Sequence, residues 1–180
     1  MTDEIIKIVY LPPMRVVSFH AMGNNFGDPE VKVWKKLKDW AKNKGLLDNP
    51  TEHQMFGFNN PAPLHINEGK PYGYELWLTI GKDFKVEDKV RTKTVEGGMY
   101  AVITCKMEEE NIGTTWQKLF QWIQKDERYD YHPNWKPLHE HSDEDHVKHG
   151  VFGLEYIPDA PLTNKEEFFI MDIYGPLIKK

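Results

Sequence analysis

A chain of 180 residues and 21.2 kDa has room for one ordinary domain with a buried core and needs no disulfide staple. With 28 acidic against 23 basic side chains its formal charge is −5, which withholds the basic footprint of a direct nucleic-acid binder. The single cysteine, Cys105, excludes an intrachain disulfide framework or a multi-cysteine metal site and suits a reducing cytoplasm; the acidic start and the lack of an apolar run of roughly 20 residues speak against a signal peptide or a membrane span.

Residues 5–10 read as a short strand whose partner the sequence does not identify, and Pro12 and Pro13 break it from a longer strand over 14–22. Asp28 and Pro29 then start a helix that Gly45 stops, with Val33, Trp34, Leu37, Trp40 and Ala41 inside an arc of about 120° on the wheel. Strands over 54–58 and 74–80 follow, divided by a Pro- and Asn-rich stretch. After Gly97 and Gly98 the same series begins again: a strand over 99–106, a helix from about Ile112 with the stripe Ile112, Trp116, Leu119, Phe120 and Ile123, a turn-rich stretch at 129–133, and strands over 151–157 and 168–174.

The repetition extends to the residues themselves. Trp34, Lys36, Leu37 and Trp40 recur 82 positions later as Trp116, Lys118, Leu119 and Trp122. The chain therefore reads as a single α+β domain over 1–180, made of two strand-helix-strand-strand halves at about 5–82 and 95–176. One antiparallel sheet system carries both helices on one side, and the opposite side is left as a concave ligand cleft. Period-2 alternation puts Tyr74, Leu76, Leu78 and Ile80, Ala101, Ile103 and Cys105, and Phe152, Leu154 and Tyr156 under the helices. Glu75, Trp77, Tyr100 and Glu155 then face the cleft, placing carboxylates among aromatic rings.

Leu11-Pro12-Pro13, Tyr74-Glu75-Leu76, Gly97-Gly98-Met99-Tyr100-Ala101-Val102 and Leu154-Glu155-Tyr156-Ile157-Pro158 resemble the GyrI-like small-molecule-binding family. This is the effector-binding domain of AraC-type and MerR-type multidrug regulators, and the resemblance runs from about Pro12 to Tyr174. It implies a cleft between the halves for aromatic, cationic or electrophilic compounds, with Glu155 as its central polar group. It also implies an enzymatic branch, because some stand-alone relatives hydrolyse the strained cyclopropane of DNA-alkylating natural products. No segment of roughly 50–60 residues is left over for a helix-turn-helix, so a transcription factor is not expected.

On that resemblance Glu155 is the expected general base that activates water, and Tyr100 the hydroxyl donor to the oxygen that becomes a phenolate. Trp77, Glu75, Trp40, Trp122, Trp135, Phe19 and Phe58 are the expected ligand contacts, Trp135 from a loop able to act as a lid. Trp34 and Trp116, like Trp40 and Trp122, occupy helix-stripe positions where core anchoring is the ordinary role. The hydrolytic reading is preferred; a drug-sequestering or effector-sensing protein and a gyrase-inhibitor-like interaction module are the alternatives, the last bringing a protein partner. Neither cofactor nor metal is expected. His132, His139, His141, His146 and His149 crowd one acidic loop, but their spacing matches no closed zinc set.

Overall fold

The computed structural model describes residues 6–106, 109–133, 153–156 and 170–180. In chain order these form β1 (Lys7–Leu11), β2 (Met14–Gly23), α1 (Asp28–Lys42), β3 (Met55–Asn59), a single 3-10 turn (Ile66–Glu68), β4 (Tyr72–Ile80), β5 (Arg91–Val95), β6 (Gly98–Lys106), α2 (Glu109–Lys125), β7 (Tyr129–Tyr131), β8 (Leu154–Tyr156) and β9 (Ile170–Lys179). One antiparallel sheet runs β1-β6-β9-β8-β3-β4-β2-β5, with β7 on the end of β9. The two halves meet at β3 and β8, where Gly57 lies opposite Glu155 and Phe56 opposite Tyr156. About that junction the order β8-β9-β6 mirrors β3-β4-β2, which is the duplication read from the sequence.

The strand at the amino end finds its partner in the other half. Leu11 pairs with Gly98, and Met14 with Val95, so 7–18 runs against 91–102 as one ribbon interrupted only near Pro12, Pro13 and Gly97. Gly97 has φ +75°, and a Cβ there would stand 2.2 Å from the Leu11 carbonyl oxygen. Only glycine fits where the two segments change strands. Because β2 and β6 lie near opposite ends of the sheet, the ribbon draws those ends together and curls the sheet into a half-barrel.

That curl decides what each face contains. On the helix side, α1 buries Val33, Leu37 and Ala41 on β2 and β4, and α2 buries Leu119 and Ile123 on β6 and β9. The opposite face is not an open hollow as the alternation suggested. Leu11, Val16, Phe56, Phe58, Trp77, Val95, Tyr100, Val102, Leu154 and Tyr174 fill it as a second core. A flat sheet with one bare face would expose these rings; a curled one turns them on each other and removes them from water. Two elements were missed at the sequence level: the alternating, largely polar β5, and β7 within the stretch read as turn-rich. No helix among the described residues is long and apolar enough to cross a membrane.

Within this second core lies Glu75, 2% exposed. Its carboxylate accepts from Ser18 Oγ at 2.6 Å, Trp77 Nε1 at 2.7 Å and Asn60 Nδ2 at 2.8 Å, and it pairs with Lys93. Burial pushes the carboxyl up, but Lys93, Ser18 and Trp77 together hold it below its usual range. The stability these bonds supply is therefore present above the ordinary carboxylate pKa and is lost as pH falls through the lowered one. Replacing Ser18 with alanine removes one charge-assisted bond and is expected to cost about 2 kcal/mol in urea unfolding at pH 7. A loss near zero would show that the carboxylate does not depend on that donor.

Candidate functional site

Neither helix packs substantially on β3 or β8 among the described residues: α1 sits on β2 and β4, and α2 on β6, β7 and β9. A strip of sheet is thus left as the floor of a trough between the helices. Across it the register aligns Leu76, Gly57, Glu155 and Ile173, all facing the helix side. Glu155 is the charged group in this row, and it stands beside the one residue that has no side chain.

Gly57 makes the central contact possible. A Cβ there would lie 2.2 Å from the Tyr74 hydroxyl oxygen and 2.6 Å from ring carbons, so the Tyr74 ring lies across the glycine. From that position its hydroxyl donates to Glu155 Oε2 at 2.5 Å. The indole of Trp116, on α2, also hydrogen-bonds this carboxylate. Trp34, at the equivalent place on α1, is half-buried and packs against the cores of both halves. The repeated tryptophans thus flank the trough, one from each helix.

A second tyrosine-carboxylate pair lies alongside. Tyr72, two residues before Tyr74 on the same strand face, donates to Glu30 Oε2 at 2.7 Å and accepts from the Gly27 N–H at 2.8 Å. Glu30 stands one helical turn before Trp34 and so shares its side of α1. The ring of Phe26 packs on Tyr72 at 5.9 Å and is 57% exposed, forming an aromatic rim at this end.

The electrostatics follow from enclosure. Burial pushes the Glu155 carboxyl up to about 6, the bonds from Tyr74 and Trp116 oppose this, and the charge of Glu30 adds to it. Burial likewise raises Glu30 against the pull of Tyr72, with Asp28 adding to the rise. Burial and the neighbouring Glu155 drive Tyr74 well above the usual tyrosine range, so it remains a protonated donor. At neutral pH Glu155 is an anion held with little solvent around it, a state that a cation or a proton relieves.

This placement corrects the facing read from the sequence. Leu154 and Tyr156 belong to the second core, and Glu155 points to the helices; β8 is turned over by one residue relative to the expectation. Tyr100 is 3% exposed on the other face, against Tyr174, so it and Glu155 do not share a cavity. Trp77, Glu75 and Phe58 lie with Tyr100, the Phe58 ring 4.8 Å from that of Trp77. Phe19 and Trp40 are on the helix side but engage each other, and Trp40 is tied down by Phe84 and by Glu87. Trp122 packs with the α2 core. Trp135 and the loop histidines beyond His132 lie outside the described residues. Among the described residues no three His, Cys, Asp or Glu side chains gather as a metal site. Tyr74, Trp116, Trp34, Tyr72 and Glu30 were not singled out for the site; the signal was there in Trp34 and Trp116, the one repeated pair near the centre of both helix stripes.

The framework is thus a curled antiparallel sheet flanked by two helices. Residues 7–176 match the family of integron-associated effector binding proteins named Cass2, and the chain belongs to it. The GyrI-like small-molecule-binding resemblance therefore holds. Among curated proteins, the SPbeta prophage-derived protein YosT of Bacillus subtilis (strain 168), named as a candidate transcriptional regulator, is 25% identical over 120 residues, 67% of this chain and 78% of YosT. The EcmrR C-terminal domain superposes with TM-score 0.62 at 14% identity, covering 99% of this chain and all of that domain. This chain spans 59% of the longer EcmrR chain solved in a complex with DNA. A hydrolase from Listeria innocua superposes with TM-score 0.61 at 10% identity over 96% of this chain and 91% of that one. SAV2435 bound to tetraphenylphosphonium gives 0.55 at 12% identity, over 97% and 94%.

Proposed function

We propose that this chain captures bulky aromatic cations and electrophiles in the trough between its helices, with Glu155 as the counter-charge. One observation carries the reading: a partly enclosed carboxylate, without an ion-pair partner among the described residues, is held by Tyr74 and Trp116 at the meeting point of the two halves. A ligand cation restores the attraction that Glu155 lost when water was excluded, and the indoles add stacking and cation-π contact. That SAV2435 was solved with tetraphenylphosphonium supports this choice of ligand class. Such a protein, acting in the cytoplasm, would lower the free concentration of a toxic compound by sequestration or report its presence.

A second reading, hydrolysis, is favoured by Glu155 being raised to about 6 beside a tyrosine hydroxyl. A carboxylate so poised suits general-base work near neutral pH. For a cyclopropane conjugated to a dienone, Glu155 would take a proton from water as its oxygen bonds to the strained carbon. The ring C–C bond breaks, its electron pair passes to the dienone oxygen, and that oxygen becomes a phenol on taking a proton from solvent; the one O–H of Tyr74 is given to Glu155, so Tyr74 would hold the base in place. The hydrolase from Listeria innocua with this fold supports considering the chemistry.

One titration tests the binding reading. Tetraphenylphosphonium is added while tryptophan fluorescence is followed, with neutral triphenylphosphine oxide as the control. Saturable quenching with at least tenfold preference for the cation is expected; equal affinities would remove Glu155 as the counter-charge. Incubation with a cyclopropane-dienone compound, read by mass spectrometry, separates hydrolysis, which yields a water adduct catalytically, from stoichiometric protection. An interaction module would show neither quenching nor adduct.

A further inference from the structure

We infer that the trough is built for ligands with two cationic groups, the second being received by Glu30 at the Phe26 end. The inference rests on the cation-binding reading above and extends it to a second subsite. Its basis is the doubling of one motif. Two tyrosines on the same face of β4, spaced by roughly 7 Å as alternate strand residues are, each hold a carboxylate from a different half. Tyr74 of the first half holds Glu155 of the second, and Tyr72 holds Glu30 on α1.

Four further observations support a receiving role for Glu30. It shares the trough side of α1 with Trp34, one turn away. The nearby α1 lysines are engaged on the other flank, Lys32 Nζ donating to the Met22 carbonyl at 3.2 Å and Lys36 Nζ to the His20 carbonyl at 3.1 Å. No salt bridge among the described residues involves Glu30 or Glu155. The exposed Phe26 ring on Tyr72 gives the second subsite an apolar edge of its own. A purely structural carboxylate at a helix start has no need of such a rim, and the N-terminal turn already favours its charge.

A single cation at Glu155 leaves Glu30, among the described residues, without an ion-pair partner beside it. A second positive group, joined to the first by an aromatic spacer, neutralises both without a second loss of translational freedom. The ligand class is therefore a short aromatic dication whose two positive groups stand roughly 7 Å apart, such as a benzene bis-amidine, rather than a monocation.

The test compares the 1,3- and 1,4-benzene bis-amidines and the longer 4,4′-biphenyl bis-amidine, a series of spacer lengths, each with the mono-amidine in which one amidine is replaced by a neutral carboxamide. Affinities are measured by calorimetry on the full chain, the parent beside Glu30→Gln, which retains an acceptor for Tyr72, and Glu155→Gln. The best bis-amidine should bind the parent at least tenfold more tightly than its mono-amidine, with a maximum at one spacer length. Glu30→Gln should lower bis-amidine affinity about tenfold more than mono-amidine affinity. Equal affinity of the two compounds in the parent, or a preference unchanged in Glu30→Gln, overturns the second subsite. If the mono-amidine still binds in a manner that depends on Glu155, the capture reading survives alone; if neither compound binds, both fall.

Discussion

Replacing Gly57 with alanine is expected to abolish tetraphenylphosphonium binding and to lower stability by about 2–3 kcal/mol. The new methyl group would occupy the space of the Tyr74 hydroxyl, 2.2 Å away, and of its ring carbons at 2.6 Å. These are not the loose ends of a flexible chain. Tyr74 is 4% exposed and packed within the α1 core, so the ring has no empty space into which to swing. The strain is relieved only by moving β4 from β3 or by lifting the ring into the trough, and either breaks the bond to Glu155. Glu155 would then keep its burial while losing a donor, and the lifted ring would stand where the ligand belongs. Urea unfolding and the fluorescence titration read the two effects separately. Tyr74→Phe, which removes the hydroxyl but keeps the ring, distinguishes them further: a folded protein with weakened cation binding is expected. Parental affinity in Gly57→Ala would show that the tyrosine does not organise the carboxylate.

The same glycine shows how a duplicated scaffold becomes asymmetric at its centre. Gly57 and Glu155 face each other across the junction of the halves, at corresponding places in β3 and β8. Two carboxylates there would repel at close range, and two glycines would leave no charge. The difference at this pair, with Tyr74 reaching from one half to the other, makes an otherwise symmetric framework asymmetric at its centre.

The duplication, both helices and most strands were legible because their signals are local: the stripe Val33, Leu37 and Ala41, the repeated tryptophans, and the alternation within 74–80 and 99–106, whose facing the structure shows as read. The facing of β8 was not. The reasoning placed the apolar set Leu154 and Tyr156 under a helix, which holds when only one sheet face is buried. Here the ribbon of 7–18 against 91–102 curls the sheet until both faces are cores, so an apolar set no longer says which face it joins. That ribbon is itself a long-range event, since β1 pairs with the first strand of the other half, and nothing in residues 5–10 names such a partner. Glu75 and Trp77 were correctly grouped on one face, but their grouping in space reflects a saturated internal network rather than a receptor.

Glu155→Gln is expected to weaken tetraphenylphosphonium binding by about 30–100-fold, or about 2–3 kcal/mol, while making the unliganded protein more stable at pH 8. Burial raises the carboxyl from its ordinary 4.5 to about 6, so between those values the folded protein holds a proton that the unfolded chain has released. Stability attributable to this group therefore falls as pH rises through that window, and above it the anion costs up to about 2 kcal/mol. Glutamine keeps an oxygen for Tyr74 but cannot ionise, so the variant escapes the cost. Its gain should be near its full value at pH 8 and disappear at pH 4, where the parental carboxyl is also neutral. Ligand reverses the ranking: saturating tetraphenylphosphonium should raise the parental Tm at pH 8 and leave the variant nearly unmoved. A variant that bound the cation as tightly as the parent, or gained the same stability at both pH values, would mean that the charge of Glu155 is neither the ligand's partner nor a strained one. Coincidence of the two effects in one substitution would instead show that the fold tolerates a costly anion at the junction of its halves because the ligand neutralises it.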